Sequence, residues 1–184
     1  MAYTITEHRL GLTPIANTDA GAQINGAGVY LPPAAGAAKP GMIVRAVDPI
    51  YGEGEFVYLQ GAASTVVGSV VTWSGVNGTT VQSYQTALAA STANLAQPLA
   101  VAMAANLANS WGWYQIGGNA VCATNGTLAA GPGPVYLAGS GQLTSTAAAG
   151  KQVENAVNVS ATGTPGTNLA IVSIDRPHAQ GAIT

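Results

Sequence analysis

Hydrophobic positions along this chain recur in short runs, alternating with polar residues and broken every few positions by glycine, proline, asparagine or serine. That is the period-two signature of half-buried strands, not the 3.6-residue stripe of helices. The pattern predicts strands at Met42–Val47, Glu55–Gln60, Ser69–Trp73, Thr79–Tyr84, Pro98–Ala104, Trp111–Ile116, Ala120–Ala123, Pro134–Ala138 and Leu169–Asp175. Their Val, Ile, Thr, Tyr and Trp content suits a pleated surface. Three pieces of turn chemistry suggest hairpins: Asn77-Gly78, Gly117-Gly118 and Gly139-Ser140-Gly141. Such residues reach positive φ cheaply, as tight connections require. Thr86–Leu95 reads as a short helix, weakened by its Ser and Thr. The expectation is an all-β fold, an antiparallel β-barrel or β-sandwich built from hairpins.

The first forty residues break this rhythm. Thr13-Pro14, Gly21, Gly26, Gly28 and Leu31-Pro32-Pro33 through Lys39-Pro40-Gly41 resist both helix interior and central strand. Residues 1–40 are therefore expected to be an extended N-terminal arm, with Tyr3–Thr6 able to pair as a short strand, and 41–184 a β-rich domain.

Charge changes the picture most. The chain of 184 residues carries 7% charged residues against roughly 25% in ordinary globular chains. Eight of the twelve charges precede Phe56, and the 95 residues from Phe56 to Gly150 hold none. Five scattered basic residues make no phosphate-binding patch, so a nucleic-acid partner is not expected. No apolar run is long enough for a membrane helix, and Met1–Leu12 contains Glu7 and Arg9 but no apolar signal core. Glycine and alanine together supply 59 residues, which lowers buried area per residue and favours association.

Candidate chemistry is sparse. His8 and His178 sit near opposite ends, no serine occupies a Gly-x-Ser-x-Gly elbow, and Cys122 reads as a small buried strand residue. The group Asp48 to Glu55 lacks the alternating ligands of a Ca²⁺ loop and reads as a solvated turn. Neither a cofactor, a metal nor a catalytic residue is expected. Trp111 and Trp113 share one strand face, with Tyr114 and Ile116 on the other. The indole pair suits the core or a subunit interface, or alternatively a stacking platform for sugars in a surface or fibre module.

Taken in order, Gly52–Gly61, Ala62–Trp73, Val101–Ala104, Trp111–Gly118 and Ile174–Pro177 resemble segments of small head proteins of tailed bacteriophages, the capsid decoration or cement proteins. The resemblance covers about residues 41 to 178. It implies a non-enzymatic β-rich subunit, made in the host cytoplasm, that binds the major capsid protein on the virion exterior as a homotrimer. A tail or baseplate structural role has the same sequence features. The residues expected to make capsid or subunit contacts are Tyr3, Ile5, His8, Arg9, Leu12 and Pro14 of the arm, with Trp111 and Trp113.

Overall fold

Ile43–Asp48 alternates strictly, with Val44, Ala46 and Asp48 inward and Ile43, Arg45 and Val47 outward. This strand turns through Pro49–Tyr51 and pairs antiparallel with Gly52–Gln60. A computed structural model describes residues 4–5, 18–19, 38, 40–74, 84–105, 108 and 110–182. Among them the chain is all-β, and no helix forms. In chain order the strands are β1 (Thr4–Ile5), β2 (Thr18–Asp19), β3 (Ile43–Asp48), β4 (Gly52–Gln60), β5 (Val70–Ser74) and β6 (Gln85–Leu88). They continue with β7 (Leu99–Ala102), β8 (Trp111–Ala123), β9 (Gly133–Gly139), β10 (Gln142–Thr144), β11 (Gln152–Asn158) and β12 (Leu169–Ala179).

The connections close part of the sheet on itself. β4, β6, β5, β7 and β8 follow one another by hydrogen bonding, and β8 pairs back to β4. All these pairings are antiparallel except β4–β6, a single parallel step at Gln60 and Gln85. Gln60 N–H donating to Tyr84 O and the Thr86 hydroxyl donating to Gln60 O reinforce it. Beyond the ring, β12, β11, β9 and β10 extend the sheet as an antiparallel wing.

β8 is the strand on which everything meets. One edge carries β4; the other carries β2 at Trp111–Gly112, β7 at Tyr114–Gln115 and β12 from Gly117 to Ala123. The expected break at Gly117-Gly118 is therefore not a hairpin but the middle of one thirteen-residue strand. The glycines serve close backbone approach instead. Gly118 has φ +91°, and a Cβ there would lie 2.2 Å from Glu53 O.

Among the described residues, three apolar clusters fill the fold. Val57, Leu59, Val71, Ala100, Ala102, Tyr114 and Ile116 pack within the ring. Phe56, Tyr58, Trp111, Trp113, Val44 and Ala46 pack on the other face of β3, β4 and β8. The largest cluster joins β5 and β7 to the wing through Val70, Leu99, Val101, Cys122, Leu137, Leu143 and Val172. β7 is thus buried on both faces, which is why its sequence is a continuous apolar run.

Other expectations fare unequally. The Gly139-Ser140-Gly141 hairpin joins β9 to β10, all three residues at positive φ. The helix expected over Thr86–Leu95 is replaced by β6, paired to Val71–Ser74, followed by irregular chain with Asn94 and Ala96 at positive φ. Cross-strand partners there outweigh a weak helical propensity. The Asn77-Gly78 turn and most of the Thr79–Tyr84 segment lie outside the described residues. Of the arm, β1 pairs with Ala46 and Val47, and β2 pairs with Trp111 and Gly112.

Candidate functional site

In a chain with twelve charged side chains, five line one depression. Arg45, Glu53, Glu55, Asp175 and Arg176 surround a hollow of about 340 Å³ whose floor is Gly54, Gly117 and Gly118. Register places them. Arg45 lies opposite Glu55, Glu55 opposite Gly117, and Gly117 opposite Asp175, so one row crosses β3, β4, β8 and β12. Gly117 has no side chain, and Glu55 lies over it: a Cβ there would be 3.4 Å from the Glu55 Cβ.

Arg176 reaches this row through an irregularity in β12. The β11–β12 register passes from Glu154 opposite His178 to Ala156 opposite Ile174, leaving Asn155 to face Asp175, Arg176 and Pro177. Both Asn155 (φ 57°) and Arg176 (φ 48°) adopt the left-handed conformation. Bulges re-aim side chains in this way. The Arg176 guanidinium Nη2 lies 3.1 Å from Glu55 Oε2, while Arg45 Nη2 and Nε lie 3.1 and 3.3 Å from Glu55 Oε1. One carboxylate thus bridges two arginines. Their side chains are 69% and 63% exposed, so each pair contributes about 0–1 kcal/mol, and the cluster orients charge more than it stabilises the fold.

A second hollow of about 350 Å³ adjoins the first and shares Arg176. Its walls are apolar: Ile43, Trp73, Pro98, Leu99, Ile116 and Pro177. His178, on its rim, is 2.7 Å from Glu154 across the β11–β12 pair.

The Asp48–Glu55 segment divides into distinct roles. Asp48 is buried and accepts from Ile50 N–H at 2.7 Å and Tyr51 N–H at 3.0 Å, which fixes the β3–β4 turn. Glu55 is engaged by arginine, where the sequence suggests only a solvated turn. The Arg45–Glu55 pairing follows from folding Ile43–Gln60 about that turn. The Arg176 contact, 121 residues away, leaves no local signal.

Trp111 and Trp113 are 4% and 0% exposed. Both pack on Tyr58, whose ring centroid lies 5.7 and 5.1 Å from theirs. A sugar needs an open indole face, and a subunit contact needs an exposed one; neither tryptophan offers either, so both are core residues. Of the arm residues expected at an interface, Ile5 has its backbone paired to Ala46. Tyr3, His8, Arg9, Leu12 and Pro14 lie outside the described residues. Cys122 is fully enclosed, and burial pushes its thiol up to about 12 from an ordinary 9.0. Among the described residues no group of His, Cys, Asp and Glu is placed to hold a metal ion.

No family model, curated protein or solved structure matches this chain.

Proposed function

We propose that this chain is a non-enzymatic virion subunit that binds the outer surface of a tailed-phage capsid and stabilises it, assembling as a homotrimer. The observation that carries this reading is the convergence of the segments behind the resemblance. Gly52–Gln60, Val70–Trp73, Val101–Ala102 and Trp111–Gly118 are four of the five members of one hydrogen-bonded ring, with β6 between the first two, and Ile174–Pro177 is the bulge that docks on it. Segments scattered in sequence are one physical unit. The charge economy supports the same reading. Many copies on one shell repeat every unit charge, and a surface of few charges limits that repulsion.

Binding is tested by mixing the purified protein with shells that lack it and sedimenting them. Saturable co-sedimentation with at least one maturation state is expected. No binding to any shell at saturating protein overturns the proposal.

A further inference from the structure

The second hollow combines a fixed apolar wall with a rim of one charge sign. Backbone contacts hold three of its sides: Trp73 N–H donates to Pro98 O, Pro98 bridges to His178, and Ala179 N–H donates to Gln97 O. The bulge in β12 shapes the fourth. Ile174 is buried, Asp175 and Arg176 are both exposed, and Pro177 is buried again, so two charged neighbours stay outward while the proline turns into the wall. Ile43, Leu99 and Ile116 complete a recess of about 350 Å³. That is the size class of small-molecule sites, roughly 300–1,000 Å³.

Its charge is one-sided. Among the described residues, Arg176 and His178 are the ionisable side chains that line it, and no carboxylate does. Glu55 and Glu154, which pair with them, stand outside the lining. Glu55 engages Arg176 through Nη2, so the guanidinium keeps further N–H donors for a second acceptor. The adjoining charged depression shares Arg176 and sets the opposite limit. Its Glu53, Glu55 and Asp175 stand against two arginines, so that side repels additional negative charge. A ligand that matches both sides has an apolar body for the hollow and a single negative charge at its Arg176 end.

We propose that this hollow binds a small amphipathic monocarboxylate, a medium-length hydrocarbon chain ending in one carboxylate. The chain lies against Ile43, Trp73, Leu99 and Pro177, and its removal from water supplies most of the affinity. The carboxylate accepts from Arg176 at the shared end, a charge-assisted contact that fixes which way the chain points. The backbone contacts around the recess mean that little ordering is needed on binding. This site goes beyond the capsid role and does not depend on it.

Calorimetric titration of the full chain with octanoate and decanoate tests the proposal. Trp73 fluorescence is the local reporter, since Trp111 and Trp113 are enclosed in another cluster. Saturable one-to-one binding is expected, tightening about two- to fourfold for each added methylene. Octanol and octylamine, equal in chain length, isolate the head group. Octanol should bind at least about fivefold more weakly than octanoate, and octylamine not at all. Octyl phosphate, more negative than a carboxylate at neutral pH, should also bind more weakly. Arg176→Gln should weaken octanoate at least about fivefold and leave octanol unchanged, whereas Arg176→Lys keeps the charge and most of the affinity. Ile43→Glu puts a carboxylate into the apolar wall at a position 40% exposed and should abolish binding. Ile43→Trp, which fills the recess without charge, gives the same test should that variant fail to fold; thermal unfolding checks each variant. Equal affinity for octanoate and octanol, equal losses of both in Arg176→Gln, or undiminished binding by a folded Ile43 variant overturns the proposal. So does decanoate that fails to saturate at millimolar concentration. Sedimentation with shells tests the capsid role separately.

Discussion

At the residue scale, the consequential positions are those where a single atom decides what fits. A methyl group on Gly118 would meet the Glu53 carbonyl at 2.2 Å while holding a left-handed backbone. Gly118→Ala is therefore expected to destabilise the fold by about 2–4 kcal/mol, read from urea unfolding. Glu55→Gln removes a charge that sits between two exposed arginines and should cost only about 1 kcal/mol or less in the same assay. An equal loss from both would contradict the view that backbone approach, not ion pairing, determines the β4–β8 crossing. Cys122 gives a pH signature. Its folded thiol ionises near 12 and an unfolded one near 9.0, so the unfolded chain loses its proton first. Stability contributed by the neutral thiol is complete below about pH 9 and falls as pH rises from there toward 12. The limiting slope is about 1.4 kcal/mol per pH unit. Cys122→Ala should remove that component, seen as a smaller stability difference between pH 8 and pH 10.5 (about the usable range).

At the scale of elements, the chain's own punctuation is only partly readable. Alternation or a short apolar run located β3, β4, β5, β7, β9 and β12 because each has neighbours that bury one face or both. It split β8 in two because paired glycines signal a tight turn and a close crossing equally well. Only the position of β4, some distance away in sequence, distinguishes them. β11 is missing from the sequence reading for a related reason. Its inward residues are Val153, Ala156 and Asn158, and the bulge at Asn155 shifts the period midway. The bridging role of Glu55 was legible as far as Arg45, through the hairpin, and no further. The tryptophan pair was legible as sharing a face but not as enclosed, since enclosure depends on what else packs there. These distinctions are testable by insertion. Two extra residues after Gly118 should abolish folding, whereas the same insertion after Ala130, where Gly131 has open space around it, should be accepted with a change within about 0.5 kcal/mol. Circular dichroism with thermal unfolding separates the outcomes.

At the scale of the molecule, β1 and β2 tie residues near the start of the chain onto the body. Removing residues 1–19 takes backbone partners from Ala46, Val47, Trp111 and Gly112. Amide exchange in β3 and the start of β8 is expected to accelerate, while the wing from β9 to β12 keeps its protection. Uniform acceleration across the wing would show instead that the N-terminal segment supports the whole fold.

The double duty of β8 also fixes when this protein can fold. Synthesis runs from the N-terminus, and β4 has no β8 partner until Trp111–Ala123 has left the ribosome. On the second edge of β8, β2 and β7 are already made, but the part from Gly117 to Ala123 stays open until Leu169–Ala179 is made. Folding dominated by such distant pairings is slow. Ribosome-stalled chains ending before Leu169 should accordingly remain sensitive to protease, and chains in which Leu169–Ala179 is free of the ribosome should become resistant. Resistance in the shorter chains would refute this. Until β12 docks, the far half of β8 is thus an unpaired strand edge, a place where a nascent copy is open to wrong partners.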